Sequence, residues 1–322
     1  MPVISVNKDP ESLTMSLTAE FDVPLRRLWD AYADPRQLER FWGPPTYPSK
    51  FTRHDMFPGG RSIYFMTGPE GDTHHGYWEY IEVKEPHSFE VRDGFANADG
   101  TPNTEMPSMR MVFNFEETPT GSRMTNTTYF DTLESMTMIL EMGAEEGATE
   151  AMSQMDAVLA DLRTYSHGMA TDAVILSDTQ VRISRVIRGT VDQVWAAHND
   201  PELMKQWMLG PDGWTMPVAE MADRVGDTFV QEWENEDGER FGFTGELLEV
   251  EAPHRAVTTE RMIGTDGPST TNEMTLTPVE SGTLLSLVIT YPDAETRDMI
   301  LGTGMTDGME TSYARLEELV LV

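Results

Sequence analysis

The sequence predicts an α+β fold written twice in tandem, each copy a curved antiparallel sheet wrapped around a long C-terminal helix, with two short helices after the first strand. Two observations carry this. The chain matches itself at a spacing of about 166 residues, and both copies show the same order of strand-like and helix-like patterns. In the self-match Trp29 falls on Trp195, Ala31 on Ala197, Asp34 on Asp200, Pro35 on Pro201, Leu38 on Met204 and Phe41 on Trp207. With one residue added, Gly43 falls on Gly210, Gly59 on Gly226, Glu79 on Glu246, Val83 on Val250 and Pro86-His87 on Pro253-His254.

Each copy opens on a strand-like run, "LTMSLTAEFDV" or "QVRISRVIRGT", rich in β-branched and apolar residues. A helix follows. In the first copy Asp22 is the expected cap, Pro24 sits in the first turn, and Leu25, Leu28, Trp29 and Tyr32 form the apolar stripe; Val191, Val194, Trp195 and His198 repeat it. Pro35 and Pro201 stop these helices, and Asp34 and Asp200 are placed to cap a second short one. Trp29 and Trp195 are expected core anchors. From Phe51 to about Phe130 the period becomes that of short strands divided by turns such as Pro58-Gly59-Gly60 and Glu85-Pro86, which reads as an antiparallel meander. Both copies close on a helical stripe: Met152, Met155, Leu159 and Leu162 in one, Met309, Tyr313, Leu316 and Val320 in the other. The expected domains are residues 1–163 and 179–322, with a linker over 164–178.

Composition narrows the chemistry. The formal net charge of −32 is spread along the chain, which disfavours nucleic acid and anionic membranes as partners, because both require basic patches. No run approaches the length of apolar sequence that crosses a bilayer, and "MPVISVNKDPESL" lacks the basic-then-apolar order of a secretory signal, so a cytoplasmic protein is expected. The absence of cysteine removes disulfides, thiolate metal sites and cysteine nucleophiles. No GxGxxG, P-loop, HExxH or GxSxG motif is present, and no cofactor or metal is expected.

The openings "LWDAYADPRQLERFW" and "VWAAHNDPELMKQWM", the glycine turns "FPGG" and "RVGD", and the strands "GYWEYIEVKEPHSF" and "FTGELLEVEAPHRA" resemble the START-like (SRPBCC) superfamily with its helix-grip fold. They are most similar to the branch named for the C-terminal domain of the heat-shock protein 90 ATPase activator. The resemblance covers about residues 13–162 and 179–322. It implies a groove between sheet and helix that holds an apolar or aromatic small molecule, or a surface that binds a partner protein; some members are cyclases or hydratases. The superfamily has no universal catalytic motif, so its fold does not name a reaction. Many members carry a tryptophan after the glycine that opens the last helix, where this chain has Ala148 after Gly147 and Met309 after Gly308.

Strand alternation nominates the residues lining the groove. Met109, Met111, Phe113 and Phe115 share a face opposite Met152 and Met155, with Trp78 as a further ligand contact. The second copy, with Met274, Leu276, Leu285, Leu287 and Ile289, is more aliphatic and is expected to have a closed core. A ligand is therefore expected mainly in the first domain. His74 and His75 are adjacent on a strand and point to opposite faces, which does not suit a shared metal. Glu79 is the candidate acid or base: it lies mid-strand among apolar neighbours, though it shares a face with Tyr77 and Ile81, and an arginine-held structural carboxylate fits the same pattern. Three functions follow in order: non-enzymatic binding of a hydrophobic or aromatic small molecule, a protein-interaction module of the chaperone-activator type, and a cyclase- or hydratase-like enzyme using Glu79.

Overall fold

The structure is a computed structural model that describes residues 2–161, 170–210, 213–265, 267 and 269–320. The chain divides into two compact units, Met1–Leu162 and Arg163–Val322. Leu162, residues 164–169 of the expected linker, and Pro211 lie outside the described residues.

The first unit runs β1 (Val3–Asp9), β2 (Thr14–Phe21), α1 (Leu25–Ala33), α2 (Pro35–Leu38), β3 (Ser49–His54), β4 (Arg61–Thr67), β5 (Thr73–Lys84), β6 (Ser88–Phe95), β7 (Met109–Thr118), β8 (Gly121–Tyr129), α3 (Leu133–Glu141), α4 (Ala144–Ser153) and α5 (Met155–Ala160). Its strands form one antiparallel sheet in the order β1-β2-β8-β7-β6-β5-β4-β3. The alternation in β2 is regular: Met15, Leu17, Ala19 and Phe21 are buried, and the residues between them are partly exposed.

The second unit repeats this order with β9 (Asp172–Ile175), β10 (Gln180–Ile187), α6 (Val191–Asn199), α7 (Pro201–Trp207), β11 (Trp214–Glu220), β12 (Thr228–Asn235), β13 (Arg240–Glu251), β14 (Arg255–Met262), β15 (Thr270–Val279), β16 (Gly282–Thr290), α8 (Ala294–Leu301) and α9 (Met305–Val320). Its sheet order, β11-β12-β13-β14-β15-β16-β10-β9, is that of the first unit element for element. Both are α+β units of the expected kind.

Four edge or near-edge strands were not evident from the pattern. β1, β3, β9 and β11 lie at the sheet margins, where a strand needs little apolar content to pair; β9 falls within residues 164–178, so part of the expected linker belongs to the sheet. The first closing helix is also interrupted. Gln154 ends α4 and precedes α5, and its Nε2 donates to the Gly43 carbonyl at 2.8 Å, which ties the break to the loop after α2.

The helix corners form largely as their sequence dictates. Asp34 accepts from the Arg36 backbone N–H, and Asp200 from those of Glu202 and Leu203, so both cap their short helices. Asp22 does not cap α1: Pro24 is the N-cap, with no side-chain cap hydrogen bond. Trp29 is buried against Phe89 and Phe115, with ring centroids 6.0 and 5.5 Å away. Trp195 is only partly buried, and the fully buried tryptophan of the second corner is Trp207, whose Nε1 donates to the Ala197 carbonyl.

Candidate functional site

In the first unit a cavity of about 260 Å³ lies between the inner sheet face and the α3–α4 region. Its walls are apolar: Met15 and Leu17 from β2, Met109, Met111 and Phe113 from β7, Met124 from β8, and Ala148, Ala151 and Met152 from α4. Gly147 and Ala148 line it with almost no side-chain bulk.

The nominated residues divide. Met109, Met111, Phe113 and Met152 line the cavity, whereas Trp78, Phe115 and Met155 pack behind it. Phe115 meets Tyr32 and Trp29, Met155 accepts from the Tyr32 hydroxyl at 3.8 Å, and Trp78 sits 4.6 Å from Trp42. An aromatic cluster has filled the inner part of the groove. It needs Gly76, since a Cβ there would come within 2.4 Å of the Tyr64 ring.

Glu79 lies on the other face. It pairs with Arg61, its direct cross-strand neighbour, and does not line the cavity. Glu246, its counterpart, is exposed. His74 is exposed beside Asp72, and no group of three or more His, Asp or Glu is arranged to hold a metal among the described residues.

Among the described residues the carboxyl that faces the cavity is that of Asp93, on β6, which the sequence reading passed over. It is buried beside the Tyr64 hydroxyl, it accepts from Trp78 Nε1 at 2.9 Å, and burial still raises it to about 7. Two donors nearby remain unmatched. Among the described residues Asn126 Nδ2, at the cavity wall, has no partner, and the Trp42 indole nitrogen sits beside Tyr64 without a hydrogen bond of good geometry.

The second unit is not closed, contrary to the expectation from its aliphatic strands. Its groove measures about 650 Å³, larger than the first. The cause is visible in the aligned copies, where Gly245 stands for Trp78, Ala256 for Phe89 and His198 for Tyr32. Three bulky rings have been exchanged for a glycine, an alanine and an imidazole. Gly245 cannot readily regain a side chain, because a Cβ would lie 1.8 Å from the Thr259 carbonyl oxygen.

The second groove is lined by Trp207, Trp233, Phe241, Phe243, Met274 and Leu287, with Glu260, Asn272 and His198 as polar interruptions. Burial raises Glu260, against a hydrogen bond from Asn272 that lowers it. His198 is pushed down to about 4 by burial, although its Nδ1–H donates to the Val194 carbonyl at 2.7 Å. A carbonyl only accepts, so that bond puts the proton on Nδ1 and leaves Nε2 a bare acceptor.

A family model, that of Activator of Hsp90 ATPase homolog 1-like proteins, matches residues 22–160 and 188–320. Among solved structures, a crystal structure of a Mycobacterium smegmatis protein is 48% identical, covering 50% of this chain and 98% of its own, with a TM-score of 0.47. A solution structure from Arthrobacter aurescens is 43% identical over 49% of this chain and 92% of its own, with a TM-score of 0.48. An AHSA1-like protein from Aeromonas hydrophila is 24% identical over 44% and 95%, with a TM-score of 0.38. A search of curated proteins found no match.

Proposed function

The chain belongs to the Activator of Hsp90 ATPase homolog 1-like family, which it contains twice, and from its geometry we propose that it is a non-enzymatic binder of apolar small molecules, with one site between sheet and helix in each unit. The observation that carries this is a groove in each unit with apolar walls and a few polar groups that converge on it. In the first, Asn126 Nδ2 is a buried donor waiting for an acceptor, which a ligand supplies more readily than a core residue.

Apolar burial supplies the affinity, at about 25 cal/mol per Å² removed from water, and the polar groups orient the guest. The second groove takes the larger molecule. A catalytic role for Glu79 draws no support, since it is outside the groove and paired with Arg61. The protein-contact reading rests on exposed apolar side chains. These are mostly scattered, with Leu133, Met138 and Met142 in and just after α3 as the nearest approach to a patch.

Native mass spectrometry of the purified protein, followed by organic extraction, tests the reading. Apolar adducts of up to two per chain support it. A clean mass that stays unchanged after incubation with a panel of apolar compounds overturns it.

A further inference from the structure

Each groove carries a carboxyl at the same place in the repeat. The register that sets Glu79 on Glu246 and Pro86-His87 on Pro253-His254 sets Asp93 on Glu260. Both follow the inward phase of their strand, Asp93 after Phe89 and Val91 on β6, Glu260 after Ala256 and Thr258 on β14. Three bulky positions behind the groove have changed between the copies: ring to glycine, ring to alanine, tyrosine to histidine. The inward carboxyl has not.

Neither groove offers it a cation. No Lys or Arg is among the described residues that line either one, and His198 in the second is a neutral acceptor. An anionic guest would bury a second negative charge beside the first in a medium of low polarity. A neutral guest supplies at most a hydrogen bond and leaves the desolvated carboxylate without a counter-ion. A protonated amine supplies both the charge and the donors. Trp42 and Tyr64 in the first groove, and Trp207 and Trp233 in the second, present ring faces or edges to such a guest. The chain's net charge of −32 also concentrates cations around it.

We propose that both grooves select apolar molecules bearing a basic amine, with Asp93 in the first and Glu260 in the second as the carboxylate that receives the ammonium N–H groups. This rests on the small-molecule reading given above. In the first groove Asn126 Nδ2 then serves an acceptor elsewhere on the guest, and in the second His198 Nε2 takes a further donor.

Binding is linked to protons. Asp93, raised to about 7, is roughly half protonated near neutrality, so an ammonium that pairs with it expels a proton. The other titratable group lining that groove is Tyr64, which burial keeps neutral; around Glu260 they are His198 and Tyr313 on the helices, and Tyr291 after β16, which senses Glu260.

The test uses the full chain and three isosteric probes: 2-naphthylethylamine, the corresponding alcohol and the corresponding carboxylic acid, by calorimetry at pH 7 in buffers of different ionisation heat. The amine should bind about tenfold to a hundredfold tighter than the alcohol, the acid weakest, with proton release reported by the buffer dependence. The double substitution Asp93→Asn, Glu260→Gln should abolish the amine's advantage over the alcohol and the proton release, while the alcohol still binds, which also shows that the grooves persist. Equal affinity for amine and alcohol, or an amine preference that survives the double substitution, overturns the proposal and leaves the groove reading standing. Failure of all three probes to bind overturns both.

Discussion

The indole N–H of Trp78 donates to the Asp93 carboxylate at 2.9 Å, from directly paired positions on β5 and β6. One donor is a core tryptophan and the acceptor a buried acid, so the pair couples groove chemistry to stability. Asp93 titrates at about 7 in the folded chain against about 3.9 when unfolded. Its contribution to stability is fully present below about pH 4 and is lost as pH rises through about 7, a change of about 4 kcal/mol. Asp93→Asn keeps an oxygen for Trp78 but has no such slope. Relative to the unsubstituted protein it should therefore gain stability between pH 5 and pH 8. Denaturant midpoints at both pH values measure this, and parallel behaviour of the two proteins would count against the buried acid.

The unequal grooves trace to three positions, Trp78, Phe89 and Tyr32, which are Gly245, Ala256 and His198 in the second copy. Phe89 stacks on Phe113 at 4.4 Å, and Phe89→Ala should enlarge the first cavity at a cost of about 3–5 kcal/mol by urea unfolding. The reciprocal change, Ala256→Phe, points a ring into the second groove and should reduce its capacity with a smaller effect on stability.

His198 should remain neutral with its proton on Nδ1 down to about pH 4. Because its folded value lies below the unfolded value of about 6.5, the stability it contributes is fully present above that pH and declines as pH falls towards 4. Nitrogen chemical shifts of the imidazole report this directly; an Nε2–H tautomer at pH 7 would show that the Val194 contact does not fix the ring.

Arg255 is the second unit's own addition, standing where the first copy has Ser88. It is almost fully buried and bonds Glu273 at 2.5 Å, Glu249 at 2.6 Å and Glu251 at 3.2 Å. Arg255→Ser should cost the second unit about 3 kcal/mol, because it leaves a void and removes the cation that three carboxylates share. A calorimetric scan should show the transition of one unit lowered and the other unmoved.

The duplication and most inner strands were legible because both copies preserve spacing, turns and alternation, as with Trp29 on Trp195 and Pro86-His87 on Pro253-His254. The marginal strands were not, since edge pairing asks little of side chains: β3, "SKFTRH", is mostly polar. Met109, Met111, Phe113 and Met152 were readable from phase alone, but phase does not separate a wall from the layer behind it, which is why Trp78, Phe115 and Met155 proved to be core. Asp93 was hidden at the polar end of "FEVRD". Its phase with Phe89 and Val91, and its match with Glu260, were the signals that would have found it. The wider second groove was written as Gly245 opposite Trp78 and Ala256 opposite Phe89, a comparison of volumes rather than of polarity.

The central claim is that each unit encloses its own site for an apolar molecule. Titration of the full chain with a small neutral solvatochromic dye tests it most directly. Saturable binding of two dyes per chain is expected, with one of the two sites weakened in Ala256→Phe; no saturable binding, or two sites that this substitution leaves unaltered, would contradict it.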